Sequence, residues 1–420
     1  MADNAVLARN VDGAPVSDIC SQTVAFSHYN HFSTQLPVDA SGQLVAGGIK
    51  EQAQQCFTNL KTIIEGIDRK LEDTVRVSIF LKDINDIDAV NEVYRTFYKD
   101  YLPTRTVVAV DALPLDGALI QVDAVLSHGL GTIPNEPQAD DLIILARNTE
   151  DAPQCPNSTQ TCAFSHYNNI STQLPIDPKT GKLVSGGIKE QLAQCLRNVK
   201  SIVESIDVPI DDTVKITIFT KDISDVEGLN ETYRTYFPDS GIARAVGYFP
   251  ARSIVLVNDL PFGADIAVEA VVSHGDGTPP QEVEARHGLI VEANNTDKVH
   301  RCPNTTQTVA FSHYNNISGQ LPVDASGNIV AGGAAEQTEQ CLSNIKTIVE
   351  SVDHKLEDIV KVNIYLADMS ALADVDAAYK KFFPDGTPAR RVVGVKKNLK
   401  DAIVLIDAVV SNAEGTPPIV

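Results

Sequence analysis

The sequence predicts three α+β domains in tandem, and three observations predict it. One motif is written three times: Phe26-Ser27-His28-Tyr29-Asn30 running on to Ser33, Gln35, Leu36 and Pro37, then Phe164-Ser165-His166-Tyr167-Asn168 to Pro175, then Phe311-Ser312-His313-Tyr314-Asn315 to Pro322. Each copy is followed by the same blocks: an apolar helix with a Cys, an alternating strand ending in Lys-Asp or Ala-Asp, a second helix, and a Pro-x-Arg strand. The copies recur at about 140 residues, the size of a domain with its own core and far longer than a solenoid unit. The expected units are 1–138, 139–284 and 285–420, each closed by Ser127-His128-Gly129, Ser273-His274-Gly275 or Ser411 with a Gly-Thr pair after it.

The elements follow in order. A polar tail reaches to about Ser21, and Thr23 to Val38 has extended character. Lys50 to Ile67 places Ala53, Cys56, Leu60, Ile63, Ile64 and Ile67 at helical spacing on one face. Cys56, Cys195 and Cys341 share that position and read as packing thiols. Thr74 to Leu81 alternates, with Val75, Val77, Ile79 and Leu81 on one side and Thr74, Arg76 and Ser78 on the other, as a half-buried strand does. A second helix carries Val90, Val93, Tyr94 and Phe97 inward, and Pro103 ends that segment. Strands follow at Arg105 to Val110 and Ala118 to Leu126. The second copy is longer between its Cys and its Arg, which places an insertion at Pro238 to Pro250. Short apolar runs after each junction, Leu142 to Leu145 and Leu289 to Val291, are expected as an edge strand or a brace.

Two helices then cover one face of each sheet. The other face is semi-polar yet apolar enough to need a partner. Three sheets facing one another around a central barrel would supply it, an intramolecular trimer in a monomeric chain.

Composition excludes several classes. The formal net charge is −21, which opposes phosphate neutralisation by Lys and Arg and contact with an anionic membrane surface. Met1 to Asn10 lacks a long apolar run, so no signal peptide is expected. No stretch approaches the ~20 apolar residues of a membrane span. Seven Cys without paired metal spacing read as reduced thiols in the cytoplasm.

Ser-x-Gln near the start, Glu-Gln-x-x-Gln-Cys-x-x-Asn on the first helix, Val90 to Tyr94 on the second, and Pro-x-Arg-x-x-Val followed by Leu-Pro together resemble the Rid family, the reactive intermediate deaminases also called the YjgF or translation-inhibitor family. The resemblance implies a chorismate-mutase-like domain, a six-stranded sheet with two helices, in trimers with a ligand cleft at each interface. It implies hydrolysis of enamines and imines such as 2-aminoacrylate to 2-keto acids and ammonia, with no cofactor and no metal. The substrate carboxylate would be held by the Pro-x-Arg arginines, here Arg105, Arg252 and Arg390. Guanidinium geometry suits that role, since its planar fork pairs bidentately with carboxylate.

Other positions carry over by the same resemblance: Ser33, Ser171 and Ser318; Asn91 and Asn230, with Asp376 in the third copy. The family's early Pro-Tyr-Ser-Gln departs here to Phe26-Ser27-His28 with Tyr29 after it, and Tyr29, Tyr167 and Tyr314 are the substrate-contact candidates of that stretch. The family's water-orienting Glu on the last strand falls on Gln121, Ala267 and Leu405, of which only Gln121 is polar. Two replacements suggest themselves. His28, His166 and His313 would serve as proton shuttles, since imidazole titrates near neutrality. Asp123, Glu269 and Asp407 would be bases if they reach the cleft, or acids paired to Lys or Arg inside the sheet assembly, which the sequence favours. Arg391 adjoins Arg390, and the spacing from Pro388 picks Arg390. A non-catalytic keto-acid binder and an interaction scaffold remain as alternative functions.

Overall fold

The computed structural model describes residues 6–127, 143–238, 248–273, 291–412 and 415–416. The first repeat runs β1 (Leu7–Arg9), β2 (Thr23–Phe26), β3 (Tyr29–Phe32), α1 (Ile49–Gly66), β4 (Thr74–Leu81), α2 (Ile87–Phe97), β5 (Thr104–Ala109) and β6 (Ile120–Ser127). Its sheet has the order β1-β2-β3-β6-β4-β5. Every pairing is antiparallel except β4–β5, which is parallel and joined by α2, as a parallel pair must be by a crossover. The leading segment, expected as a polar tail, contains β1, whose Leu7–Arg9 pairs with Thr23–Ala25.

The second repeat runs β7 (Leu145–Arg147), β8 (Thr161–Phe164), β9 (Tyr167–Gln173), β10 (Ile176–Asp177), β11 (Lys182–Leu183), α3 (Ile188–Glu204), β12 (Thr213–Thr220), α4 (Val226–Tyr233), β13 (Ala251–Leu256) and β14 (Ile266–Ser273). The third runs β15 (Glu292–Asn294), β16 (Thr308–Phe311), β17 (Tyr314–Gln320), α5 (Ala334–Glu350), β18 (Ile359–Leu366), α6 (Leu372–Phe382), β19 (Ala389–Gly394) and β20 (Val404–Ser411). Both repeat the six-strand order, with β10–β11 as a separate small hairpin. Of the two runs expected after the junctions, Leu145 opens the edge strand β7 and Val291 immediately precedes β15, while Leu142, Leu289 and Ile290 lie outside the described residues. The junctions near 138 and 284, His128, His274 and residues 239–247 of the insertion expected at Pro238 to Pro250 lie outside the described residues.

Local chemistry explains the long helices. Each begins at a glycine, Gly48, Gly187 or Gly333, whose backbone N–H donates to a glutamate three residues on: Glu51 at 2.8 Å, Glu190 at 2.9 Å and Glu336 at 2.8 Å. That carboxylate satisfies an orphan donor and complements the helix N-terminus. Cys56, Leu60, Ile63 and Ile64 are fully buried against Val77, Ile79, Val122 and Ala124 of the sheet, one core per repeat. Cys195 and Cys341 sit in the corresponding cores.

The inner faces of all three sheets contribute to two shared clusters. One holds Phe80, Val108, Phe219, Val255, Tyr365 and Val393. The other holds Phe26, Tyr29, Phe164, Tyr167, Phe311 and Tyr314. Backbone bonds also cross between repeats. Gly394 donates to Ala112 O at 2.8 Å, an approach so close that a Cβ on Gly394 would lie 2.6 Å from that of Ala112. Between the two apolar clusters lies a charged layer in which each repeat pairs with the next: Arg76–Glu269 at 3.4 Å, Lys215–Asp407 at 3.2 Å and Lys361–Asp123 at 3.2 Å.

Candidate functional site

The edge strands β5, β13 and β19 carry Arg105, Arg252 and Arg390, and each lies against a strand of another repeat: β5 on β9, β13 on β17, β19 on β3. A serine makes each junction. Ser171 Oγ accepts from Arg105 N at 2.8 Å and donates to Thr159 O at 2.6 Å. Ser318 accepts from Arg252 N at 3.0 Å and donates to Thr306 O. Ser33 accepts from Arg390 N at 2.8 Å and donates to Ser21 O at 2.6 Å. The structure thus brings these serines to the arginines but commits their hydroxyl protons to backbone carbonyls. They position the strand that carries the arginine.

The arginine side chains turn toward the second helix of their own repeat. Each guanidinium lies over a tyrosine ring: Arg105 over Tyr94 at 4.9 Å, Arg252 over Tyr233 at 4.6 Å and Arg390 over Tyr379 at 4.6 Å. The sequence reading missed these tyrosines as site residues. A signal was present, since each stands three residues after Asn91, Asn230 or Asp376, the spacing that puts two side chains on one helix face.

The surroundings of the three arginines differ. Arg105 Nη1 donates to Asn91 Oδ1 at 2.7 Å, a neutral partner. Arg252 is 8 % exposed, and its Nη1 and the Asn230 Oδ1 are both buried without a hydrogen-bond partner among the described residues. Burial lowers the Arg252 pKa from its ordinary value, partly offset by Tyr233. Arg390 instead forms a 2.5 Å ion pair with Asp376. Its charge is therefore matched before any ligand arrives.

Gln121 is fully buried and donates from Nε2 to Val392 O at 2.9 Å, two residues along the strand from Arg390. Its counterparts Ala267 and Leu405 lie in an apolar inter-repeat cluster.

The histidines and the motif tyrosines go elsewhere. His28, His166 and His313 occupy the tips of two-residue hairpins whose first turn residues, Ser27, Ser165 and Ser312, have positive φ. These tips come together, with the three tyrosines beneath them. Tyr29, Tyr167 and Tyr314 touch one another edge to face. Their hydroxyls donate in a cycle to Phe164 O, Phe311 O and Phe26 O. From His28 to Ser33 the chain is extended, roughly 16 Å at ~3.3 Å per residue. The structure therefore does not bring either set to the arginines. Burial, then His313, pulls His28 down to about 4, and burial also lowers His313. Neutral imidazoles of this kind are poor acids near pH 7.

The acids Asp123, Glu269 and Asp407 are the paired carboxylates of the charged layer. Arg391 adds a bidentate contact to Asp123, 2.7 Å to each oxygen. Burial pushes the Asp123 carboxyl up, but Arg391 and Lys361 outweigh it and hold it below the usual range. An acid so held is a structural anion and a weak base.

Among the described residues no group of His, Cys, Asp and Glu has the arrangement of a metal site, and no helix is long and apolar enough to cross a membrane.

Each of the three units has a six-stranded sheet, two helices and one buried arginine at a seam with a neighbour, which defines a tandem α+β repeat protein. The sequence model of the family described as Endoribonuclease L-PSP matches residues 16–127, 159–274 and 305–412, and the chain belongs to that family. A RutC family protein of Pyrococcus horikoshii is 38% identical over 124 residues, 29% of this chain and 92% of the relative. The 2-iminobutanoate/2-iminopropanoate deaminase of Salmonella typhimurium is 42% identical over 101 residues, 24% of this chain and 74% of that protein. Among solved structures, the YjgF gene product of E. coli is 36% identical, covering 30% of this chain and 94% of that one, with a TM-score of 0.28. A Yersinia pestis protein described as one of the conserved Rid family is 32% identical, covering 31% and 99%, with a TM-score of 0.29.

Proposed function

We propose that the chain hydrolyses reactive 2-imino acids and their enamine tautomers to 2-keto acids and ammonia, in clefts between repeats that act as a trimer within one polypeptide. One observation carries the reading: the buried Arg252 guanidinium has no carboxylate beside it among the described residues, and Asn230 Oδ1, at the helix position that meets the arginine in the first repeat, is likewise unpartnered. A buried cation and a buried acceptor left open together suit a ligand that brings an anion and an N–H. A 2-imino carboxylate brings both. Relatives named as imine deaminases support the reaction class.

In this reading Arg252 pairs with the substrate carboxylate and Asn230 accepts from the imine N–H. Water adds to the carbon of C=N and gives one proton to nitrogen; the hydroxyl proton of that carbinolamine then passes to nitrogen as well, and the C–N bond breaks. Ammonia leaves, and the oxygen of the water becomes the keto oxygen. The clefts contribute position and electrostatics in place of the family glutamate. The Arg105 cleft works in the same way, while Asp376 holds the Arg390 cleft back.

The test is keto-acid release from 2-iminobutanoate generated in situ, measured above the uncatalysed rate. Wild type and Arg390→Ala are expected to be active, and the Arg105→Ala/Arg252→Ala protein to fall to background. A wild-type rate equal to background would overturn hydrolysis. The apolar Ala267 and Leu405 at the family glutamate position favour the second reading in that event, a keto-acid binder, which would still lose ligand in Arg252→Ala.

A further inference from the structure

Where the three sheets meet, beneath the tyrosine cycle, lies a cavity of about 50 Å³ lined by His31, Arg76, Asn169 and Asn316 together with valines. One water requires ~10–15 Å³ by a comparable measure, so the space is real. The lining is polar in an uneven way. His31 stands where the other repeats have Asn169 and Asn316, and it is 8 % exposed. The His31 Nε2 and the Arg76 Nε are buried without a hydrogen-bond partner among the described residues. The tyrosine hydroxyls above are already committed to carbonyls.

Among the described residues the charges of the inter-repeat layer, which Arg76 joins to this cavity, do not balance: three carboxylates, Asp123, Glu269 and Asp407, are paired with four cations, Arg76, Lys215, Lys361 and Arg391. The surplus is Arg391. Its counterparts are Thr106 and Ser253, whose hydroxyls donate to Glu269 and Asp407 without adding charge. A buried excess of one positive charge is costly unless an anion meets it. The cavity offers such an anion the Arg76 N–H, a neutral imidazole N–H and two amides. Arg76 keeps 17% of its side-chain exposure, so the site is not sealed from solvent.

We propose that this central cavity is a binding site for one small monovalent anion of chloride size, which completes the charge balance of the inter-repeat layer. Bound only by the assembled repeats, it stabilises the folded chain by mass action.

Bromide is the probe. Crystals of the full chain grown in sodium bromide should show an anomalous peak in the cavity, in contact with Arg76 and His31. Thermal unfolding in sodium chloride should lie a few degrees above that in sodium gluconate at equal ionic strength. Arg391→Ser, the residue type that repeat 2 carries, should weaken the chloride dependence at least tenfold. Water alone in the cavity, with equal melting in both salts, would overturn the proposal. So would an Arg391→Ser protein with the wild-type chloride response. If Arg391→Ser does not fold, the wild-type bromide map decides by itself.

Discussion

Replacing Asp376 with asparagine should open the third cleft to carboxylates. Asp376 meets Arg390 at 2.5 Å, and the two side chains are 23% and 6% exposed. Unit charges ~4 Å apart at an effective dielectric of ~20 interact by about 4 kcal/mol. An incoming carboxylate near Arg390 must work against a repulsion of that order from Asp376. Screening at its partly exposed carboxylate halves this, leaving about 2 kcal/mol, or ~30-fold in affinity. Asparagine at this position is what the first two repeats carry, at Asn91 and Asn230, so the helix accommodates it. The assay is calorimetric titration with 2-oxobutanoate in an Arg105→Ala/Arg252→Ala background, where only the third cleft can respond. Adding Asp376→Asn should tighten binding ~30-fold, and adding Arg390→Ala to that protein should remove it. Equal affinity with and without Asp376 would refute the reasoning, because the pair would then not be what blocks the cleft.

Other expectations concern the seams between repeats and their response to acid. Ser171→Ala removes a bond to Arg105 N and one to Thr159 O, so urea unfolding should report a loss of about 1–3 kcal/mol. Asp123→Ala leaves Lys361 and Arg391 buried without their shared carboxylate; the cost should be about 3–5 kcal/mol, roughly twice that of the serine change. His28 is pulled to about 4 by burial and His313, and His31 to about 3 by burial, Lys361 and Arg76, against Asp123. Both are neutral in the folded chain, while the unfolded chain protonates them below about 6.5. Their contribution is therefore complete above pH 6.5 and falls as pH drops toward 3, with a slope of about 2–3 kcal/mol per pH unit between pH 6 and 4. His31→Asn should reduce that slope in urea midpoints taken at pH 7, 6 and 5, and an unchanged slope would contradict the assignment.

Periodicity made the repeat fold legible. Cys56, Leu60 and Ile63 mark a buried helix face, and Val77 and Ile79 a buried strand face, because each packs within its own repeat. The resemblance supplied Arg105, Arg252 and Arg390, and their burial at the seams accords with it. What sequence did not show is which repeat meets which. Ser33 lies 357 residues from the arginine whose backbone it receives, and no local pattern encodes such a partner. The place of the histidines at the hairpin tips was hidden for a related reason. Phe-Ser-His-Tyr-Asn recurs because a tight hairpin must place Tyr29, Tyr167 and Tyr314 against one another, and recurrence alone does not separate packing from chemistry. The leading strand Leu7–Arg9 escaped notice because three half-exposed residues have no usable period.

The position occupied by Arg391 in one repeat, Thr106 in another and Ser253 in the third has a genetic consequence. In an assembly of identical subunits a single codon is expressed three times around the centre, so an arginine there would bring three surplus charges at once. Joining the copies end to end turns one codon into three independent ones. Selection can then place a lone charge at the centre, or an aspartate in one cleft, and leave the other two copies to carry on unaltered.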